Sequence, residues 1–180
     1  MTHLPTARTR IVGAAAAALV LVGLVSGCSA RPGAAAIVDG RAIPTSDVVA
    51  VVDDLSPALG QVNASQILTI LIEEPVIVRL ADDHGKGVSD ADAKTTLDGF
   101  FTASGTTPPA RYSSATLLVG LHQAANAKLA ADTTASTLAQ DFTQRLAALH
   151  VSVNPRFGTW DPSQGQLGAA ATPSWIVAQP

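Results

Sequence analysis

A single cysteine, Cys28, stands in the 180 residues. No internal disulfide can close, so the fold has to hold without a covalent cross-link. Aromatic side chains are scarce too, at four Phe, two Trp and one Tyr, and a core must be built mainly from aliphatic residues. Nowhere do Lys and Arg cluster: eleven of them are spread along the chain against fourteen Asp and Glu. That spread argues against nucleic acid as a partner, because such binding needs a basic patch or stripe. Also missing are an HExxH helix, paired metal-binding cysteines, a Walker loop and a GxSxG elbow. Each is the local geometry that one chemistry requires. The expectation is no enzymatic activity, no catalytic residue, no metal and no cofactor.

What is present begins with the start of the chain. Arg8 and Arg10 precede the apolar run "IVGAAAAALVLVGLV", and "VSGCSA" follows. A basic lead, an apolar stretch of ~7–15 residues and small residues at its end describe a secretory signal peptide. The run falls short of the ~20 residues of a spanning helix. Its end, Val25-Ser26-Gly27-Cys28, resembles a bacterial lipoprotein lipobox. That resemblance implies removal of residues 1–27 and a diacylglyceryl, palmitate-bearing group on the Cys28 thiol. The residues alone also fit an ordinary secreted protein with one free thiol, or an uncleaved anchor. Two acyl chains hold a protein on a bilayer where one does so only marginally. The expected location is therefore the extracytoplasmic face of the cell membrane, in the envelope, with residues 28–34 as a short tether.

From residue 35 to 161 the pattern is mainly helical, with five helices expected over about 46–59, 64–84, 90–104, 112–131 and 134–149. Val48, Val52, Leu55 and Leu59 make one apolar face of the first. The second is apolar most of the way round and reads as the central buried helix, with Pro75 expected to kink it. Leu118, Leu121, Ala125 and Leu129 mark the fourth. Thr45 or Ser46 reads as the cap of the first helix, and Ser89 with Asp92 as a capping box for the third. At 151–154, Val151 and Val153 alternate with Ser152 and Asn154, which predicts a short strand. Its only plausible partner lies near residues 35–39. A two-stranded ribbon would then tie the two ends of the domain together, lying against the helices. Residues 162–180 read as a Gly/Ala/Pro-rich tail, pinned at Trp160 and Trp175.

Polar candidates are few. Asp53-Asp54, Glu73-Glu74 and Asp82-Asp83 are adjacent pairs, and neighbours on a helix diverge by about 100°, so they read as solvated faces. His84 reads as a favourable charge at a helix end. His122 and His150 have no cysteine to activate. Asn63-Ala64-Ser65 matches a glycosylation sequon by pattern alone. Phe100 and Phe101 are either the edge of a core or an exposed patch that binds substrate.

Three segments in order carry a wider resemblance. "AAIVDGRAIPTSDV" resembles the opening strand, turn and helix of SurA-like and PrsA-like extracytoplasmic chaperones. "ILTILIEEPVIVRLADDHGKGVSDADA" is similar to the long helix, glycine turn and next helix start of that family, and "VSVNPRFGTWD" to a closing strand in actinobacterial lipoproteins with this domain. The resemblance implies a SurA N-terminal-like helical domain and an ATP-independent holdase that binds unfolded or nascent exported polypeptides. Prolyl-isomerase members carry a parvulin domain of roughly a hundred residues inside the chaperone helices. Here Gly105 and His150 stand 45 positions apart, and the isomerase activity is not carried over. The alternative is a structural or adaptor lipoprotein that binds one folded envelope partner.

Overall fold

The apolar stretch that opens the body forms β1 (Ala34–Val38), and Asp39-Gly40 turns it back into β2 (Arg41–Pro44). Both turn residues have positive φ, 47° and 82°, the conformation a two-residue hairpin turn needs. The computed structural model describes residues 31–131 and 135–169. Five helices follow the hairpin: α1 (Thr45–Leu59), α2 (Ala64–Asp83), α3 (Asp90–Ala103), α4 (Ser114–Ala130) and α5 (Ala135–Ala147). The chain then enters β3 (Val151–Val153) and a second hairpin, β4 (Thr159–Asp161) and β5 (Gln166–Gly168). The architecture is mainly α with a small antiparallel sheet.

β3 pairs antiparallel with β1, Ile37 opposite Ser152, and the two ends of the domain meet as the alternation predicts. The ribbon has three strands rather than two, in the order β2-β1-β3. β2 sets the apolar Ala42 and Ile43 side by side and ends in Pro44, so no alternation announces it. The reading of a tail from residue 162 also changes, because Asp161 pairs with Gln166 and Trp160 with Leu167. Its other anchor, Trp175, lies outside the described residues, as do Cys28 and the lipobox residues Val25, Ser26 and Gly27.

Helix starts are set by different groups. α3 has its capping box: Ser89 Oγ accepts from the Asp92 amide at 3.3 Å, while Asp92 Oδ2 accepts from the Ser89 amide at 2.9 Å. The Ser89 hydroxyl also donates to Asp92 Oδ2 at 2.8 Å, and this bond, with the one from the Ser89 amide and with Lys128 close by, holds the Asp92 carboxyl below the usual range. α1 has no side-chain cap. Neither Thr45 nor Ser46 serves, because the N-cap position is Pro44 and both lie inside the helix; the carbonyl of Gly33 accepts the Thr45 amide at 2.8 Å. Asn63, a sequon residue by pattern, caps α2 through Oδ1, which accepts from the Ser65 and Gln66 amides.

α2 runs on through Pro75 and touches α1, α4, α5, β1 and β5. It is the central helix. α4 crosses it and buries small side chains, Ala115, Val119, Gly120, Ala124 and Ala125, instead of a leucine stripe; Leu118 and Leu121 are half-buried. Gly120 explains the choice. A Cβ there would stand 2.8 Å from the Ala93 carbonyl oxygen and 3.0 Å from Leu97 Cδ1, so α3 and α4 approach too closely for a larger residue. Burial divides into two apolar clusters. The larger includes β1, α1, α3 and the first halves of α2 and α4; the smaller joins the second halves of α2 and α4 to α5.

Candidate binding surface

The side chains expected to be solvated are in part the ones that knit the helices. Glu74 is buried, Glu73 half-buried and His122 buried. His122 Nε2 lies 3.0 Å from Glu73 Oε2, while its Nδ1 is buried without a hydrogen-bond partner. Burial pushes the Glu74 carboxyl up, and nearby Arg41 and His122 draw it partly back. These three residues lie between the two apolar clusters on α2 and α4. Asp54 Oδ2 accepts from the Ser113 amide at 2.9 Å and from Thr116 Oγ1 at 2.7 Å, joining α1 to the start of α4. Arg145 reaches Asp83 at 2.7 Å and Asp141 at 2.9 Å, joining α5 to α2. Adjacent acids do diverge around a helix, as expected, but one of each of these pairs meets a neighbouring helix. Sequence spacing on one helix carries no signal for that. Asp53 and Asp82 are exposed.

Phe101 belongs to the core, 2% exposed, and its ring lies 6.0 Å from that of Tyr112. Phe100 is half-buried and packs against the same cluster. The pair therefore makes a core edge, not an exposed patch. His84 caps the end of α2. His150 is open to solvent, with Nδ1 3.4 Å from Asp39 Oδ1. Among the described residues, no three His, Cys, Asp or Glu side chains form a group that would hold a metal.

Two grooves among the described residues flank the second hairpin. One groove, of about 540 Å³, has Ile37, Leu149, Val151, Trp160 and Pro162 among its lining residues. Trp160 is half-buried, and its Nε1 is buried without an acceptor. A second groove, of about 610 Å³, runs between the start of α2 and β5, past Thr69, Ile70, Phe157 and Leu167. Here Ser65 Oγ donates to the Phe157 carbonyl at 2.9 Å and fixes the hairpin to α2. Gly158 makes the hairpin possible. Its φ is 127°, and a Cβ would run into the Gly168 carbonyl. Both grooves open to solvent and are lined mainly by apolar atoms, a surface that suits weak, adaptable apolar binding. The sequence offered one pointer to them, the change from helical periodicity to alternation at 151–154.

No family model, no curated protein and no solved structure matches this chain.

Proposed function

We propose that this chain is a membrane-anchored extracytoplasmic lipoprotein that works as an ATP-independent holdase, without catalysis, for unfolded exported polypeptides. The observation that carries the reading is the pair of open, largely apolar grooves on either side of the β4–β5 hairpin. The lipobox-like Val25-Ser26-Gly27-Cys28 and the chaperone-like order of segments supply the setting. Burying ~400 Å² of client apolar surface at ~25 cal/mol per Å² is worth ~10 kcal/mol gross. Lost translational freedom and ordering consume much of that. Binding is then weak and reversible, which lets a holdase release its client without an energy source.

The test is light scattering during refolding of a chemically unfolded, aggregation-prone protein. The chain from residue 29 onward should suppress aggregation near equimolar ratio. No suppression by a preparation that circular dichroism shows to be helical would reject the reading. Membrane attachment is checked separately: Cys28→Ser should abolish acyl labelling and move the protein from the membrane fraction to the soluble one.

A second reading, an adaptor for one folded envelope partner, draws on α1, where Val49 and Leu59 are each 50% exposed. A single stoichiometric partner that is lost on Val49→Asp, with no binding of unfolded chains, would favour it.

A further inference from the structure

Under the lipoprotein reading the domain is held by Cys28, and the length of chain in between decides which part of it meets the bilayer. Six positions separate Cys28 from Ala34, the first residue of β1. Chain of that length spans at most about 21 Å. The surface around Ala34 is therefore kept within reach of the headgroups, whichever way the domain turns.

That surface is assembled from residues far apart in the chain. The Ala34 amide donates to the Arg31 carbonyl at 3.0 Å, and Asn154 Nδ2 donates to the Ala34 carbonyl at 3.4 Å. The Arg156 amide donates in turn to Asn154 Oδ1 at 3.2 Å. Arg31 and Arg156 are thus brought to one place. Both are exposed, and neither forms an ion pair among the described residues. The Arg156 guanidinium lies 4.9 Å from the centre of the Phe157 ring. Pro32, Pro44 and Pro155 are exposed at the same end, where Pro44 pairs with Ala34. α1 also starts here, since the Thr45 amide donates to the Gly33 carbonyl, and its one first-turn acid, Asp47, is half-buried. Cations among apolar rings match a bilayer surface, where anionic phosphates cover apolar chains.

We infer that this face docks on the bilayer, with Arg31 and Arg156 on the phosphates of anionic lipid headgroups. This rests on the lipoprotein reading and says which side of the domain meets the membrane. Two cations at an anionic leaflet favour the docked arrangement about 30-fold over free rotation on the tether. At the other end of the β1–β3 ladder the Asp39 amide donates to the His150 carbonyl. That end lies about 14 Å further along the strands and points away from the bilayer. Gly40 and His150 belong to it and line the groove beside Trp160, so docking leaves that groove clear for exported chains.

The test uses the full acylated chain in vesicles of phosphatidylcholine alone or in equal parts with phosphatidylglycerol. Cys28 is the only cysteine and its thiol is then blocked, so Pro155→Cys or His150→Cys creates a single site for a fluorophore. In the mixed vesicles a quencher carried on the headgroups should quench the label at position 155 about threefold more than the label at 150. The gap should narrow at high salt and in phosphatidylcholine alone. Arg31→Glu together with Arg156→Glu should close it while the protein stays attached. Arg31→Glu alone, at the exposed lead into β1, should close part of it.

Equal quenching at the two positions in mixed vesicles, stronger quenching at 150, or a gap that survives both charge reversals would overturn the docked face. Any of these results from a chain that still floats with the vesicles leaves the lipoprotein reading intact. Absence of acyl label on Cys28 in cells would reject that reading, and the docked face with it.

Discussion

Two apolar clusters share α2 and α4 and differ in how they are built. The larger packs the sheet, α1 and α3 around Leu68, Ile72, Leu97 and Phe101. The smaller consists of Ile77, Leu80, Ala81, Ala125, Leu129 and Leu138, and its outer wall is α5. Glu73 and Glu74 on α2 and His122 on α4 lie between them. A helix that is apolar nearly all round need not serve a single core. Here three polar side chains at one level divide its burial in two. The larger cluster is closed by elements from both ends of the domain, while the smaller depends on one added helix.

That difference is open to attack in order of expected effect. Leu97→Ala removes a fully buried side chain from the larger cluster and should cost about 3–4 kcal/mol in urea unfolding. Amide exchange should rise in β1, α1 and α3 together; a change confined to α3 would show that this cluster is not one unit. Leu138→Ala, in the smaller cluster, should cost about 2 kcal/mol. Its faster exchange should be limited to α5 and the end of α2. Equal acceleration in β1 would mean that the polar layer divides nothing.

Asp54→Ala leaves the Ser113 amide and the Thr116 hydroxyl without their acceptor and should cost about 1–2 kcal/mol. Ser89→Ala, which loses the α3 cap, should cost about 1 kcal/mol. A melting midpoint unmoved by both would mean that water replaces these bonds without loss.

The smallest change addresses the layer itself and depends on pH. Because burial raises the folded-state pKa of Glu74, its contribution is most favourable below the unfolded value, ~4. That contribution is lost as pH rises through the folded value. Glu74→Gln should therefore raise the melting midpoint at pH 7 and leave it nearly unchanged near pH 3.5. A lower midpoint at pH 7 would mean that pairing with Arg41 and His122 outweighs desolvation.

The helices were legible because each one's own pattern announces it: apolar recurrence in α2 and α5, and Ser89 with Asp92 at the start of α3. In α1 the recurrence marked the helix but not its face, since Val48, Val51 and Leu55 are buried while Val52 is half-buried and Leu59 exposed. β3 and its distant partner were legible for the same reason, since alternation is written in four consecutive residues. Three features were not. β2 shows no alternation because its apolar residues Ala42 and Ile43 are adjacent, and the α4 contact rests on Ala and Gly, whose closeness to α3 no hydrophobicity pattern records. The second hairpin depends on Gly158 at a conformation that composition cannot reveal, in a stretch whose glycines read as tail. The grooves inherit that gap, because one wall of each is the hairpin.

The sequence by itself determined the class of the fold, because periodicity and caps are local. Only the tertiary structure decided that Glu74 and His122 are buried, that Asp54 and Arg145 join helices, and that two grooves flank the second hairpin. Each of these depends on which residues meet across long separations, and that is settled by packing the elements together.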